Sequence, residues 1–169
     1  MNYKIDIKAL VTVSLLIAIE VVLNRFVSIN TQILKIGFGF VPVAICGMLY
    51  GPVAAGIAGA VADILGSTLF PIGPFFPGFT LSAALYGVIF GLFLYKCKGN
   101  ILQLTCAVTI NCLAINLFLT TLWISITYGS NYLVLLPTRI LPNAIMLTVQ
   151  FVTLFFLQKQ MRFLQKKFF

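Results

Sequence analysis

Residues 70–80 read FPIGPFFPGFT, with prolines at 71, 74 and 77, glycines at 73 and 78, and phenylalanines at 70, 75, 76 and 79. Each proline fixes φ and removes a backbone donor, so neither a regular helix nor a strand is expected to run through this stretch. It joins two long apolar runs. Four aromatic rings on a stiffened loop fit a lid over something flat and partly apolar. They fit equally a turn whose rings anchor it at a bilayer surface.

The composition around this loop favours a membrane. The 169 residues are 61% hydrophobic and 8% charged, and the mean hydropathy is +1.10. A soluble domain of this length needs far more charge to cover its surface. In lipid the spanning options are helix bundles and closed barrels, and long, continuous, non-alternating apolar runs select helices. There are no histidines and three carboxylates, Asp6, Glu20 and Asp63, which excludes imidazole acid–base chemistry and His metal ligation. The four cysteines, at 46, 97, 106 and 112, lack CxxC spacing and read as small core residues rather than a disulfide or metal site.

Six apolar segments are predicted within a single transmembrane domain over 1–169: about 9–23, 38–50, 53–69, 79–95, 101–126 and 137–157. The first two are short against the roughly 20 residues that crossing a bilayer requires. MNYKIDIK before the first run has the outline of a signal peptide, but no small-x-small cleavage site follows, so it reads as a permanent span. No internal repeat is found. Six spans put both termini on one side, together with Lys4, Lys8, Lys96, Lys98, Lys159, Arg162, Lys166 and Lys167, eight of the eleven cations. The positive-inside rule then places both termini in the cytoplasm.

The three remaining cations, Arg25, Lys35 and Arg139, fall at span ends or connections on the outer side, the side of the Phe-rich loop. Snorkelling to the interface is one explanation; an anion site in an outer vestibule is the other, since Arg pairs bidentately with carboxylates. Arg139, Asn143, Met146 and Gln150 share one helical face, as do Asn116, Thr120, Trp123 and Thr127. Asp63 sits ten residues into its span, roughly 15 Å along the axis. An intramembrane carboxylate marks a functional site or a buried ion pair, here with Arg25 or Arg139. The pattern describes a pocket open outward, with cations at its mouth and amides and a carboxylate within.

Small residues at 55, 56, 59 and 60 and glycines at 87 and 91 permit close helix approach. Ser14 and Ala18, four apart on the first span, either pack internally or present a docking surface. No GxxxxGK[ST] occurs, not even a Gly-Lys dipeptide, so the chain does not hydrolyse ATP through a P-loop. Nucleophile elbows and helical metal motifs are likewise absent, and no catalytic residues are expected. Uphill movement of a solute would need energy from elsewhere.

Three segments carry a family resemblance: KIGFGFVPVAICGMLYGP at 35–52, ADILGSTLFPIGPFFPGFTLSAALYG at 62–87 and PTRILPN at 137–143. Through them the chain resembles, over nearly its whole length, the substrate-binding S components of energy-coupling factor (ECF) vitamin importers, most of all the folate-specific ones. The resemblance implies a six-helix bundle in a prokaryotic plasma membrane, with an outward pocket capped by the loops after spans one, three and five. It implies no enzymatic activity and no cofactor, a folate or reduced folate as ligand, and as partners a membrane scaffold subunit and two ATPases. An S component of this family is thought to topple in the membrane to deliver its cargo. Arg25, Lys35 and Arg139 become candidates for the ligand's carboxylates or ring carbonyl, Phe76 and Trp123 for stacking, and Asp63 and Asn143 for the pterin edge. Thr80 completes the candidate set. The family docks its scaffold through Ala-x-x-x-Ala on span one, and here Ser14 replaces the first alanine. An S component for another vitamin such as riboflavin, and a small membrane scaffold without ligand, are the alternatives.

Overall fold

The computed structural model describes residues 7–30, 35–71, 73–95 and 100–168, without the side chains at 29–30, 35–36 and 161–168. Its elements are helices α1 (Ile7–Arg25), α2 (Phe40–Tyr50), α3 (Pro52–Leu69), α4 (Pro77–Leu94), α5 (Ile101–Ile110), α6 (Thr120–Tyr128) and α7 (Tyr132–Phe168). A π-helical segment, π1 (Asn111–Leu119), joins α5 to α6. Five helical runs are long and apolar enough to cross a membrane, and α2 is a shorter apolar helix. The chain is therefore all-α, save for a two-stranded ribbon that pairs β1 (Ile29–Asn30) with β2 (Lys35–Ile36).

The ribbon fills much of the connection from α1 to α2, where the sequence predicts no strand. Two further expectations need correction. Helix α4 starts at Pro77, inside the Pro/Phe stretch: a proline in the first turn lacks only an N–H that has no helical partner anyway. Helix α7 starts at Tyr132 and runs through Pro137 and Pro142, because transmembrane helices tolerate proline where neighbouring groups satisfy the freed carbonyls.

Glycine sets the closeness of the central helices. A methyl at Gly59 would sit 2.5 Å from the Ala83 carbonyl oxygen of α4, and one at Gly87 would collide with the Ala55 carbonyl of α3. These two helices thus touch backbone to backbone, the arrangement small residues permit in membranes. Gly51, at φ 87°, makes the turn from α2 into α3, a left-handed conformation that costs glycine little. Pro52 follows as the first residue of α3. The main core packs Phe40, Ala44 and Met48 of α2 against Phe90 and Leu94 of α4, Leu104 and Val108 of α5 and Leu154 of α7. Large apolar side chains also cover the outside, among them Leu10, Val11, Leu15, Val53, Leu92 and Phe156, the surface expected of a protein solvated by lipid. Of the cysteines, Cys46 and Cys112 are buried, Cys106 is partly buried and all three are free; Cys97 lies outside the described residues.

Candidate functional site

One cavity of about 220 Å³ lies among these helices. Helix α7 contributes Arg139, Pro142, Asn143, Met146 and Gln150, a row at helical spacing that gives one face of the helix to the cavity. Opposite stand Glu20 and Asn24 of α1 and Phe40 and Val43 of α2. Asp63 of α3, with Phe79, Ser82, Ala83 and Tyr86 of α4, makes the third wall. Ile115 and Asn116 of π1 and Thr120 at the start of α6 close the ring.

The π segment shapes its part of the wall. Its wider turn bonds i to i+5, a geometry that in membrane and soluble proteins alike gathers at functional sites. The Thr120 hydroxyl donates to the Ile115 carbonyl at 2.9 Å. The buried Asn111 amide donates to the Tyr86 carbonyl at 3.4 Å, tying π1 to α4. On the other side, Cys112 Sγ lies 3.4 Å from the Asn143 carbonyl oxygen of α7. Asn116 and Thr120 accordingly face the cavity, as their spacing predicts, whereas Trp123 does not line it. Trp123 Nε1 instead donates to the lining hydroxyl of Ser82 at 3.0 Å, and its ring lies 5.5 Å from that of Phe76. The Phe76 ring and Trp123 both press on Gly78, where a methyl would sit 2.5 Å from each.

The charged groups differ in their settings. Arg139 is partly buried on the cavity wall, and its Nη1 is enclosed without a hydrogen-bond partner among the described residues. Asp63 Oδ2 accepts a 2.8 Å hydrogen bond from the Thr80 hydroxyl. Neither Arg25 nor Arg139 forms an ion pair with Asp63 among the described residues. Arg25 ends α1 and lays its guanidinium on α3, so that a methyl at Gly66 would meet Nε at 2.9 Å. It is not among the lining residues. Lys35 pairs through its backbone with Asn30 in the ribbon, and its side chain lies outside the described residues. Of the eight candidate ligand residues, Asp63, Arg139 and Asn143 thus line the cavity; Thr80, Phe76 and Trp123 stand behind the wall, one contact away.

Several further residues line the cavity. Glu20, buried to 7% exposure, carries a signal as the sole charge of the first apolar run. Ser82 and Tyr86 carry none, being ordinary residues of an apolar helix, whereas Phe79 is one of the four rings of the 70–80 stretch. On the opposite face of α1, Ser14 and Ala18 are exposed, and the Ser14 hydroxyl is turned back onto the Leu10 carbonyl at 2.9 Å.

Residues 8–159 match the family model described as ECF transporter, substrate-specific component. The chain is 42% identical over 149 residues to a protein named folate transporter FolT from Clostridium novyi, covering 88% of this chain and 87% of that one. It is 29% identical over 160 residues to a folate transporter FolT from Leuconostoc mesenteroides, covering 91% and 86%. Among solved structures it resembles a crystal structure of FolT bound with folic acid, with a TM-score of 0.87, 38% identity, and coverage of 92% of this chain and 95% of that one.

Proposed function

This chain belongs to the substrate-specific components of ECF transporters, and from that membership we propose that it is the folate-binding subunit of such an importer. It is a multi-pass membrane protein and a transport component, not an enzyme. The observation that carries the ligand assignment is the partly buried guanidinium of Arg139, its Nη1 enclosed, facing a cavity whose other walls carry aromatic rings, amides, hydroxyls and the carboxylates of Glu20 and Asp63. A partly buried cation with an enclosed N–H that has no partner among the described residues favours an anionic group beside it. Folate supplies one in its glutamate carboxylates, together with flat rings for Phe40, Phe79 and Tyr86 and polar ring edges for Asn143 and Asp63. Phe76, Trp123 and Thr80 brace the wall from behind, and Arg25 and Lys35 stand on the same side of the protein as electrostatic guides.

In this reading α2 completes a six-helix bundle, and the cavity opens to the outer face beside the connection from α3 to α4. Both termini lie in the cytoplasm, in line with eight of eleven cations on that side. Having no nucleotide-binding motif, the subunit draws its energy from two partner ATPases through a membrane scaffold, which meets the small, exposed pair Ser14 and Ala18 on α1. Transport is the test. Cells that carry the chain with a scaffold and ATPase subunits are to accumulate labelled folic acid, and cells with the chain alone are to bind it without accumulation. Binding with no accumulation beside a competent scaffold would overturn the transport role.

A further inference from the structure

We infer that Glu20 determines specificity at the deep end of the cavity, its carboxylate accepting from the N3–H and 2-amino group of a pterin ring; the inference rests on the folate reading above. Two buried groups and a half-buried one line that end. Glu20 of α1 is 7% exposed and Gln150 of α7 is 1% exposed, and both line the cavity. Tyr86 of α4, on the third wall, is half-buried and near enough to interact with both side chains. Gln150 Oε1 is enclosed without a hydrogen-bond partner among the described residues. This end therefore offers acceptors. Arg139, eleven residues away along α7 or about 16 Å at helical rise, offers donors at the other end.

A ligand with donors at one end and carboxylates at the other has a single favourable orientation in such a field. The pterin 2-amino group and N3–H form a parallel donor pair, shaped like one edge of a guanidinium, and a carboxylate accepts both at once. The reverse orientation would bring the glutamate carboxylates beside Glu20, a like-charge contact in a poorly solvated place. Asp63, the other carboxylate on the wall, already accepts from Thr80 at 2.8 Å. The donor edge is thus assigned to Glu20, and the glutamate tail to Arg139.

The experiment compares folic acid with its 2-desamino-2-methyl analogue, which lacks the outer donor, by calorimetry on the detergent-purified full chain. The wild type is to prefer folic acid roughly 10- to 100-fold, the scale of a hydrogen bond to a charged group. In Glu20→Gln that preference is to fall within about 3-fold, since a neutral amide accepts at only one atom, while the melting temperature of the ligand-free protein stays near that of the wild type. Equal binding of both compounds by the wild type, or an undiminished preference in Glu20→Gln, overturns the assignment. Should Glu20→Gln not fold, Glu20→Asp withdraws the carboxylate by one methylene and is to reduce the preference; an unchanged preference there overturns it as well. A wild type that binds no folic acid at all overturns the folate reading itself, an outcome distinct from lost discrimination.

Discussion

The Thr80 hydroxyl donates a 2.8 Å hydrogen bond to Asp63 Oδ2, joining the first turn of α4 to the body of α3 at the rim of the cavity. A partly buried carboxylate deprived of this donor keeps its desolvation cost and loses its compensation. Thr80→Val is therefore expected to destabilise the ligand-free protein by about 1–3 kcal/mol, read as a lower melting temperature in detergent, and Thr80→Ser is expected to restore most of it. Equal melting of Val and Ser variants would deny the bond any structural part.

The α3–α4 pair rests on glycine. A methyl at Gly87 meets the Ala55 carbonyl oxygen, which belongs to backbone and does not swing aside. Gly87→Ala should force the two helices apart and cost about 1–3 kcal/mol, the scale of overpacking a well-filled interior. Because Asp63 and Ser82 sit on these helices, folic acid binding should weaken with it. A variant with wild-type melting would mean the helices give way freely.

Arg139→Ala removes the cation from the wall. Loss of one charge-assisted contact, worth about 1.5–3 kcal/mol, predicts roughly 10- to 100-fold weaker folic acid binding. The ligand-free protein should not lose stability, since the Nη1 atom that disappears has no hydrogen-bond partner among the described residues. Calorimetry and melting together check both halves, and unchanged affinity would remove Arg139 from the site.

Ala18 lies on the opposite, exposed face of α1 from buried Glu20. Ala18→Leu should leave folic acid binding intact and abolish uptake in cells with the scaffold and ATPases. Normal uptake would exclude this face from docking.

Much of this architecture is legible in the chain, because hydrophobic runs and their charged ends report directly on helices in lipid. Proline is where the structure departs most from the sequence pattern. At Pro77 it opens a helix, and at Pro137 and Pro142 it stays inside one. Sequence alone does not say whether the carbonyl a proline frees will find another partner. The π turn at 111–119 leaves no trace in the apolar pattern, since it depends on tertiary bonds such as Asn111 to Tyr86. The helical face of Arg139, Asn143, Met146 and Gln150 is legible and lines the cavity as a unit. The spacing puts Trp123 on the equivalent face of its own helix, yet a π segment intervenes and its indole meets the lining through Ser82. Glu20 shows the converse. Its burial and its neighbours Tyr86 and Gln150 come from three helices far apart in sequence, so only the fold brings them together.

The central claim is that this subunit alone binds folate, and the most direct measurement is calorimetric titration of folic acid into the detergent-purified chain, without ATP or partners. Riboflavin serves as the control, and the emission of Trp123, the one tryptophan of the chain, provides a second signal. The account predicts saturable one-to-one binding of folic acid, a change in Trp123 emission transmitted through Ser82, and no response to riboflavin. Saturable binding of riboflavin with none of folic acid would contradict it.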